Sequence, residues 1–406
     1  MVLEQAPNNQ LLKAASLFGT PLYVYDSQRI TKQYNKLVNA FSGYDTRIFY
    51  ACKALTNINI LKHLFNLGSS VDCSSVNEVK LAIHIGFTPD RIVYTSNGIA
   101  FSEIQEVASY GVYINIDSIS NLIKFGQQYG DSYPVGLRIR PNIMGGGNIK
   151  ISTGHDMSKF GIPIEQMPEV LEIVKQYNLK VNVLHLHTGS DIKDVEVFVQ
   201  GVEVIYDLIP SFPYLTCIDL GSGFKVPYRN GDKETDIIHL AELLKDVFNN
   251  HPNASTGQRF QLWFEPGKFL VSQSGYLVTQ VAVMKDTPKT CFAGVDTGFN
   301  HLIRPMFYDA YHYIDNLSNP DAEKKPYTVT GNICETDTFA TDRKLPEVRE
   351  GDYLVFYNAG AYGFEMGSNF NSRFKPAEVL LHNNELHLIR RRDTFEDLLQ
   401  NQIVAI

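Results

Sequence analysis

Between about residue 20 and residue 270, short apolar, β-branched runs alternate with amphipathic stretches. The candidate strands are Thr46–Ala51, Ser70–Asp72, Arg91–Tyr94, Tyr113–Ile116, Val135–Arg140, Val181–His187, Cys217–Leu220 and Gln261–Phe264. Helical spacing lies between them, as in Asn57–Leu67, Ser75–Ile85, Ser102–Tyr110, Ser118–Tyr129, Ile164–Tyr177, Asp194–Leu208 and Asp236–Phe248. Eight strands, most followed by a helix, favour a closed (β/α)8 TIM barrel over an open sheet. In such a barrel, residues at the C-terminal strand ends read as catalytic. After about residue 272 the rhythm changes to strand-like runs separated by turns: Tyr276–Val283, Pro326–Thr330, Tyr353–Tyr357 and Ala377–His382. The expected architecture is α/β plus β. A barrel spans 20–270, and a mostly-β, sandwich- or barrel-like domain takes 271–406 together with 1–19.

A chain of 406 residues is long enough for two domains, and 44% hydrophobic residues can fill their cores. A formal charge of -8 argues against a nucleic-acid partner. No apolar run is long enough for a membrane helix, and MVLEQAPNNQ lacks the basic start and apolar stretch of a signal peptide. The five cysteines are scattered, with no two at metal-ligand spacing, so neither a disulfide framework nor a zinc site is expected. A cytoplasmic location fits.

Several segments carry chemistry. Lys53 ends an apolar strand in FYACKAL, where desolvation at a barrel mouth frees an amine for Schiff-base chemistry; a snorkelling surface lysine would read the same way. In VLHLHTGSD (183–191), His185 and His187 share one face of a strand. They read as a metal pair, as an imidazole stacked on a planar cofactor, or as core histidines. Ser190 follows at a strand-to-helix turn, a natural phosphate position. DLGSGF (219–224) and FEPGKFL (264–270) put glycine turns after strands seven and eight, where this barrel type holds phosphates. Glu265 would be a buried, unpaired carboxylate unless a cation meets it, and a protonated pyridine nitrogen would serve. Further along, NHLIRPMFYDAYH (300–312) offers an arginine for a carboxylate, ICETD a cysteine beside an acid, and NAGAYGFEM a loop tyrosine. Aromatic packing, a buried thiol and a plain turn are the bland readings of these three.

Taken in order, FYACKAL, VDCSSVNEV, ISTGHDMSKFG, HLHTGS, DLGSGF, FEPGK, IRPMFYDAYH, ICETD and GAYGF resemble the fold-type III decarboxylases that use pyridoxal 5'-phosphate (PLP). The likeness runs from PLYVYD at 21–26 to FKPAEVL at 374–380 and is nearest to the branch acting on diaminopimelate. It implies that Lys53 carries PLP, that His187 stacks on its ring and that Glu265 pairs with the ring nitrogen. Ser190, Gly223, the backbone of Gly267 and Lys268, and the Tyr362 hydroxyl would hold the phosphate, with Asp72 and Arg138 as polar support. Arg304 and Tyr308, with Lys268 and Tyr362 near them, would bind the substrate's distal carboxylate, and Glu335 its distal ammonium. Cys334 would protonate the carbanion from the partner subunit of a homodimer. The implied reaction is decarboxylation of meso-2,6-diaminopimelate to L-lysine. Sibling substrates are carboxynorspermidine, lysine, ornithine and arginine; a barrel-type racemase and a non-catalytic regulator are the other classes. Three positions depart from the family pattern: Lys268 replaces an arginine, Ser222 replaces a third glycine, and the segment after Cys334 reads Glu-Thr-Asp-Thr, with its acid shifted by one place. A lysine keeps the charge of arginine and loses its bidentate fork.

Overall fold

The computed structural model describes residues 6–143, 158–250 and 260–406; the first seven residues of the ISTGHDMSKFG segment lie outside them. Two compact units are present: one of residues 31–226 and 233–270, the other of residues 1–30, 227–232 and 271–406.

The first unit is a closed barrel of eight parallel strands: Thr46–Ala51, Ser70–Cys73, Ile92–Thr95, Tyr113–Ile116, Val135–Arg140, Val181–Leu186, Cys217–Asp219 and Gln261–Phe264. The eighth pairs back with the first, Leu262 opposite Thr46 and Phe264 opposite Ile48, so the sheet has no free edge. These runs are almost wholly apolar because both faces of each strand are covered. Local chemistry sets the helix ends. Ser75 accepts the N–H of Glu78, the Glu78 carboxylate accepts the N–H of Ser74, and Gly86 closes the same helix (Val76–Ile85) at φ 107°. A cap of this kind contributes about 1 kcal/mol. The expected helix Ile164–Tyr177 is split: Ile164–Gln166 forms a 3-10 turn and Met167–Gln176 the α-helix, with Pro168 near its start.

The other unit is built on a mixed nine-stranded sheet. Its strand Leu22–Asp26 runs antiparallel to Gly275–Asp286 and parallel to Ala377–His382. The stretch from residue 20 to 30 therefore belongs to the β unit, not to the barrel as the periodicity placed it. LYVYD is buried on both faces, which makes it look like a barrel strand in sequence; only its partners reveal otherwise. Tyr276, Val278, Val355 and Val379 pack around Leu22 and Val24, with the helix Asn8–Phe18 over them. Strands Cys291–Val295, Ile314–Asn316, Thr338–Pro346 and Glu385–Arg390 complete the sheet and are not evident from sequence alternation.

Candidate active site

The barrel interior is layered. Phe49, Val93, Val183, Cys217 and Trp263 form one apolar cluster, with Tyr113 against it. Residues two positions further along a strand face the same way. Two positions on from these lie Ala51, Thr95, His185, Asp219, Glu265 and Asn115. With Asp72, Arg138 and the lysine just past Ala51, every strand or strand end contributes one polar side chain above an apolar plug. The side chains of Asp72, Thr95, Asn115, Arg138, His185, Asp219 and Glu265 are all buried. Buried polar groups at this density need mutual partners.

Lys53 lies in the single 3-10 turn Cys52–Ala54 after the first strand, its Nζ 2.5 Å from Asp72 Oδ2. Burial pushes the Asp72 carboxyl up and the charge of Glu265 adds to the effect; Lys53 opposes them, and the balance leaves Asp72 at about 7. A carboxyl raised in the folded state favours folding while protonated, so this contribution is present below an unfolded value of about 4 and is lost as pH rises toward about 7. The cofactor-free wild type should therefore lose more melting temperature between about pH 5 and pH 8 than Asp72→Asn. Equal slopes for the two proteins would show that Asp72 does not titrate there.

Glu265 is not the unpaired carboxylate that its sequence context suggests. Its Oε2 lies 3.0 Å from His185 Nε2, and its Oε1 accepts from Thr95 Oγ1 at 3.5 Å; Asn115 Nδ2 supports that hydroxyl at 2.9 Å. Burial alone would raise the Glu265 pKa, but His185, its hydrogen bond, Lys53 and His187 outweigh it and hold the group below the usual carboxylate range. Burial, with Arg138 and His185 nearby, lowers His187 to about 3, so its ring is neutral near pH 7. Among the described residues the metal-capable set is His185, Asp219 and Glu265, whose donor atoms lie within 4.8 Å of one another. Arg138 reaches over the Phe160 ring, 4.9 Å from its centroid.

Three loops meet beside this ring. His187 follows the sixth strand, and its Nδ1 accepts the N–H of Ser222 at 3.3 Å. Gly221 lies so close that a Cβ would sit 2.7 Å from that Nδ1; a Cβ on Gly223 would sit 2.1 Å from the Gly189 carbonyl. Both glycines have positive φ, at 58° and 117°, so a side chain is excluded by conformation and by space. Ser222, between them, has no such constraint. Gly267 packs 3.2 Å, counted from a notional Cβ, from Ala51 and Ala54, against the Lys53 turn. Lys268 Nζ donates to the Asp191 carboxylate and, at 3.2 Å, to Ser190 Oγ. Its charge is matched inside the barrel unit.

The β unit holds the remaining candidates. Arg304 is buried at the start of the turn of helix Arg304–Tyr308, its guanidinium 5.5 Å from the Tyr228 ring centroid and 6.0 Å from that of Tyr308. Cys334 is exposed, and Asn371 Nδ2 lies 3.2 Å from its Sγ; Glu335 beside it is exposed as well. Asp337 accepts the N–H groups of Phe299 and Ile333 at 2.7 and 3.0 Å, so the acid of the altered Glu-Thr-Asp-Thr segment shapes the cysteine loop. Tyr362 is half-buried at φ 55°.

Residues 27–272 match the family model described as the pyridoxal-binding domain of pyridoxal-dependent decarboxylases. The diaminopimelate decarboxylase of Methanothermobacter thermautotrophicus is 39% identical over 402 residues, 97% of this chain and 94% of that protein. The chain belongs to the pyridoxal-dependent decarboxylases, in the diaminopimelate decarboxylase family. That of Aquifex aeolicus is 35% identical over 96% of this chain and 93% of its own length. The crystal structure of Helicobacter pylori diaminopimelate decarboxylase complexed with L-lysine is similar at TM-score 0.87 and 31% identity, covering 96% of this chain and 98% of that one.

The cofactor of a pyridoxal-dependent decarboxylase is PLP, and the barrel mouth fits it. Asp72 Oδ1, beside Lys53, is buried with no hydrogen-bond partner among the described residues. The glycine turns pack loop backbone closely, Gly221 against His187 and Gly223 against Gly189, and loop backbone of this kind offers N–H groups to a phosphate. In this decarboxylase, sequence reasoning missed Thr95, Asn115 and Asp219 and left His185 without a role. The signal was available: each sits two residues after an inward apolar residue, at or near the end of its strand.

Proposed function

We propose that this chain decarboxylates meso-2,6-diaminopimelate to L-lysine and CO2. The observation that carries the reading is its 39% identity to a diaminopimelate decarboxylase along 97% of the chain. When bound, PLP would supply the electron sink that decarboxylation needs. The chain's residues do the rest. Lys53 holds the cofactor, with Asp72 and Arg138 as polar support. His187 would stack on the ring as a neutral imidazole, and Glu265, an anion, would keep a proton on the ring nitrogen. Ser190, Gly223, Gly267, Lys268 and Tyr362 hold the phosphate. The far end of the substrate bears a carboxylate and an ammonium, so it needs a cation and an anion. Arg304 supplies the first, with Tyr308, Lys268 and Tyr362, and Glu335 the second. Cys334 gives its thiol proton to Cα from the partner subunit of a homodimer. No helix among the described residues is long and apolar enough to cross a membrane; a cytoplasmic enzyme is proposed.

The test is to mix purified protein with PLP and meso-diaminopimelate and to follow CO2 and lysine. A yellow protein that forms lysine, and leaves ornithine and arginine untouched, is the expected result. A yellow protein active only on ornithine or arginine would move the substrate and overturn the role of Arg304.

A further inference from the structure

The ring of polar side chains contains one acid with no place in the reaction described above. Asp219 ends the seventh strand and is fully buried. Its Oδ1 accepts the N–H of Gly221 at 2.8 Å. Gly221 in turn accepts the N–H of Glu265 on its carbonyl at 2.6 Å and sits against His187 Nδ1, while the next N–H, that of Ser222, donates to the same Nδ1. One carboxylate oxygen therefore fixes a two-residue turn that touches both Glu265 and His187. The other oxygen, Oδ2, has no donor among the described residues. Carboxylate oxygens of Asp219 and Glu265 lie within 4.8 Å of each other, both buried.

Two carboxylates are acceptors only, and two of them meeting in a dry interior cannot bond without a proton between them. Glu265 has donors already, from His185 and Thr95. The proton therefore belongs on Asp219. Burial first, and then the charge of Glu265, drive the Asp219 carboxyl well above its ordinary value, in the same direction.

We propose that Asp219 is a positioning residue: a neutral acid whose one oxygen holds the Gly221–Ser222 turn under His187 and whose hydroxyl donates to Glu265, so that the two residues facing the cofactor ring are set by one side chain. The inference rests on the PLP reading of the barrel. Through Glu265 it acts on the protonation of the ring nitrogen, and through the turn on the placement of His187.

The test compares Asp219→Asn with Asp219→Ala by equilibrium binding of PLP to full-length protein stripped of cofactor, across a range of pH, after wild-type uptake has been established. An asparagine amide offers the same two bonds, Oδ1 accepting from Gly221 and Nδ2–H donating to Glu265, with no change of charge if the aspartate is neutral. Asp219→Asn is expected to bind PLP within about threefold of wild type and with the same pH dependence. Asp219→Ala, losing a bond to a charged partner, is expected to weaken PLP about ten- to a hundredfold. At saturating PLP its KM for the amino acid should stay within about twofold of wild type, because Asp219 acts on the cofactor side only. An Asp219→Asn protein as weak as Asp219→Ala would show that the charge matters and overturn the neutral-acid assignment. An Asp219→Ala protein with unchanged PLP affinity would overturn the positioning role. If Asp219→Ala does not fold, Asp219→Asn decides alone: rescue supports the proposal and a large loss refutes it. A wild-type chain that takes up no PLP overturns the cofactor reading first, which separates the two failures.

Discussion

Lys53→Ala protein supplied with PLP should remain colourless after gel filtration and form lysine at least about a thousandfold more slowly than wild type, because it has lost the amine that carries the cofactor. Lys268, after the eighth strand, is bound to Asp191 and Ser190, so it is not a ready substitute amine. The substitution also removes the cation 2.5 Å from Asp72, a fully buried carboxyl already raised to about 7. With that counter-charge gone, burial and Glu265 act on Asp72 unopposed, and the group goes neutral instead of unfolding the barrel. The variant should accordingly fold, with circular dichroism and melting close to wild type at about pH 6. Lys53→Arg refines the comparison: a guanidinium keeps the ion pair with Asp72 and cannot carry the cofactor. It should be as inactive as Lys53→Ala and differ from it only in the pH dependence of melting. Lysine formation at wild-type rates by either variant would remove Lys53 from the mechanism.

What could be read from the chain followed the physics of burial. Barrel strands covered on both faces stand out as apolar runs, and Thr46–Ala51, Tyr113–Ile116, Val135–Arg140 and Gln261–Phe264 have the bounds that their sequences suggest. The fully buried strand Leu22–Asp26 obeys the same rule, which is why it passed for part of the barrel; its membership depends on pairing with Gly275–Asp286 and Ala377–His382, far away in sequence. Strand Glu385–Arg390 shows the opposite failure. It packs on one side only, and most of its residues are exposed, so its hydrophobic pattern is faint. At the site, Lys53, Glu265 and the glycine turns carry local signatures. Asp219 and Asn115 do not: each is one polar letter in a short apolar strand, and its meaning comes from the seven neighbours that the barrel brings around it. The partner of Lys268 was equally hidden, since Asp191 lies 77 residues earlier.

The proposed role of Cys334 leads to a second large effect, and it concerns two chains. Cys334 is exposed in a single chain and held by Asn371, on a loop that Asp337 fixes through two backbone N–H groups. A thiol that must protonate Cα ahead of water needs a second surface to exclude that water. A second copy of the chain supplies it in the proposed homodimer. Cys334→Ala should then keep its cofactor colour and lose about a hundredfold or more of lysine formation, the usual contribution of a general acid. Lys53→Ala alone is inactive for its own reason. Mixed, partly unfolded and refolded together, the two variants should regain activity that neither has. Random pairing makes about half of the dimers hybrid, and each hybrid holds one site with both an intact lysine and an intact cysteine, so recovery should approach about a quarter of wild type. The recovery must scale with the hybrid fraction, which a tag on one variant measures. No recovery in a verified hybrid would mean that Lys53 and Cys334 serve the same site from the same chain. A chain that sediments as a monomer at the assay concentration, yet makes lysine at full rate, would remove the second copy from the mechanism altogether.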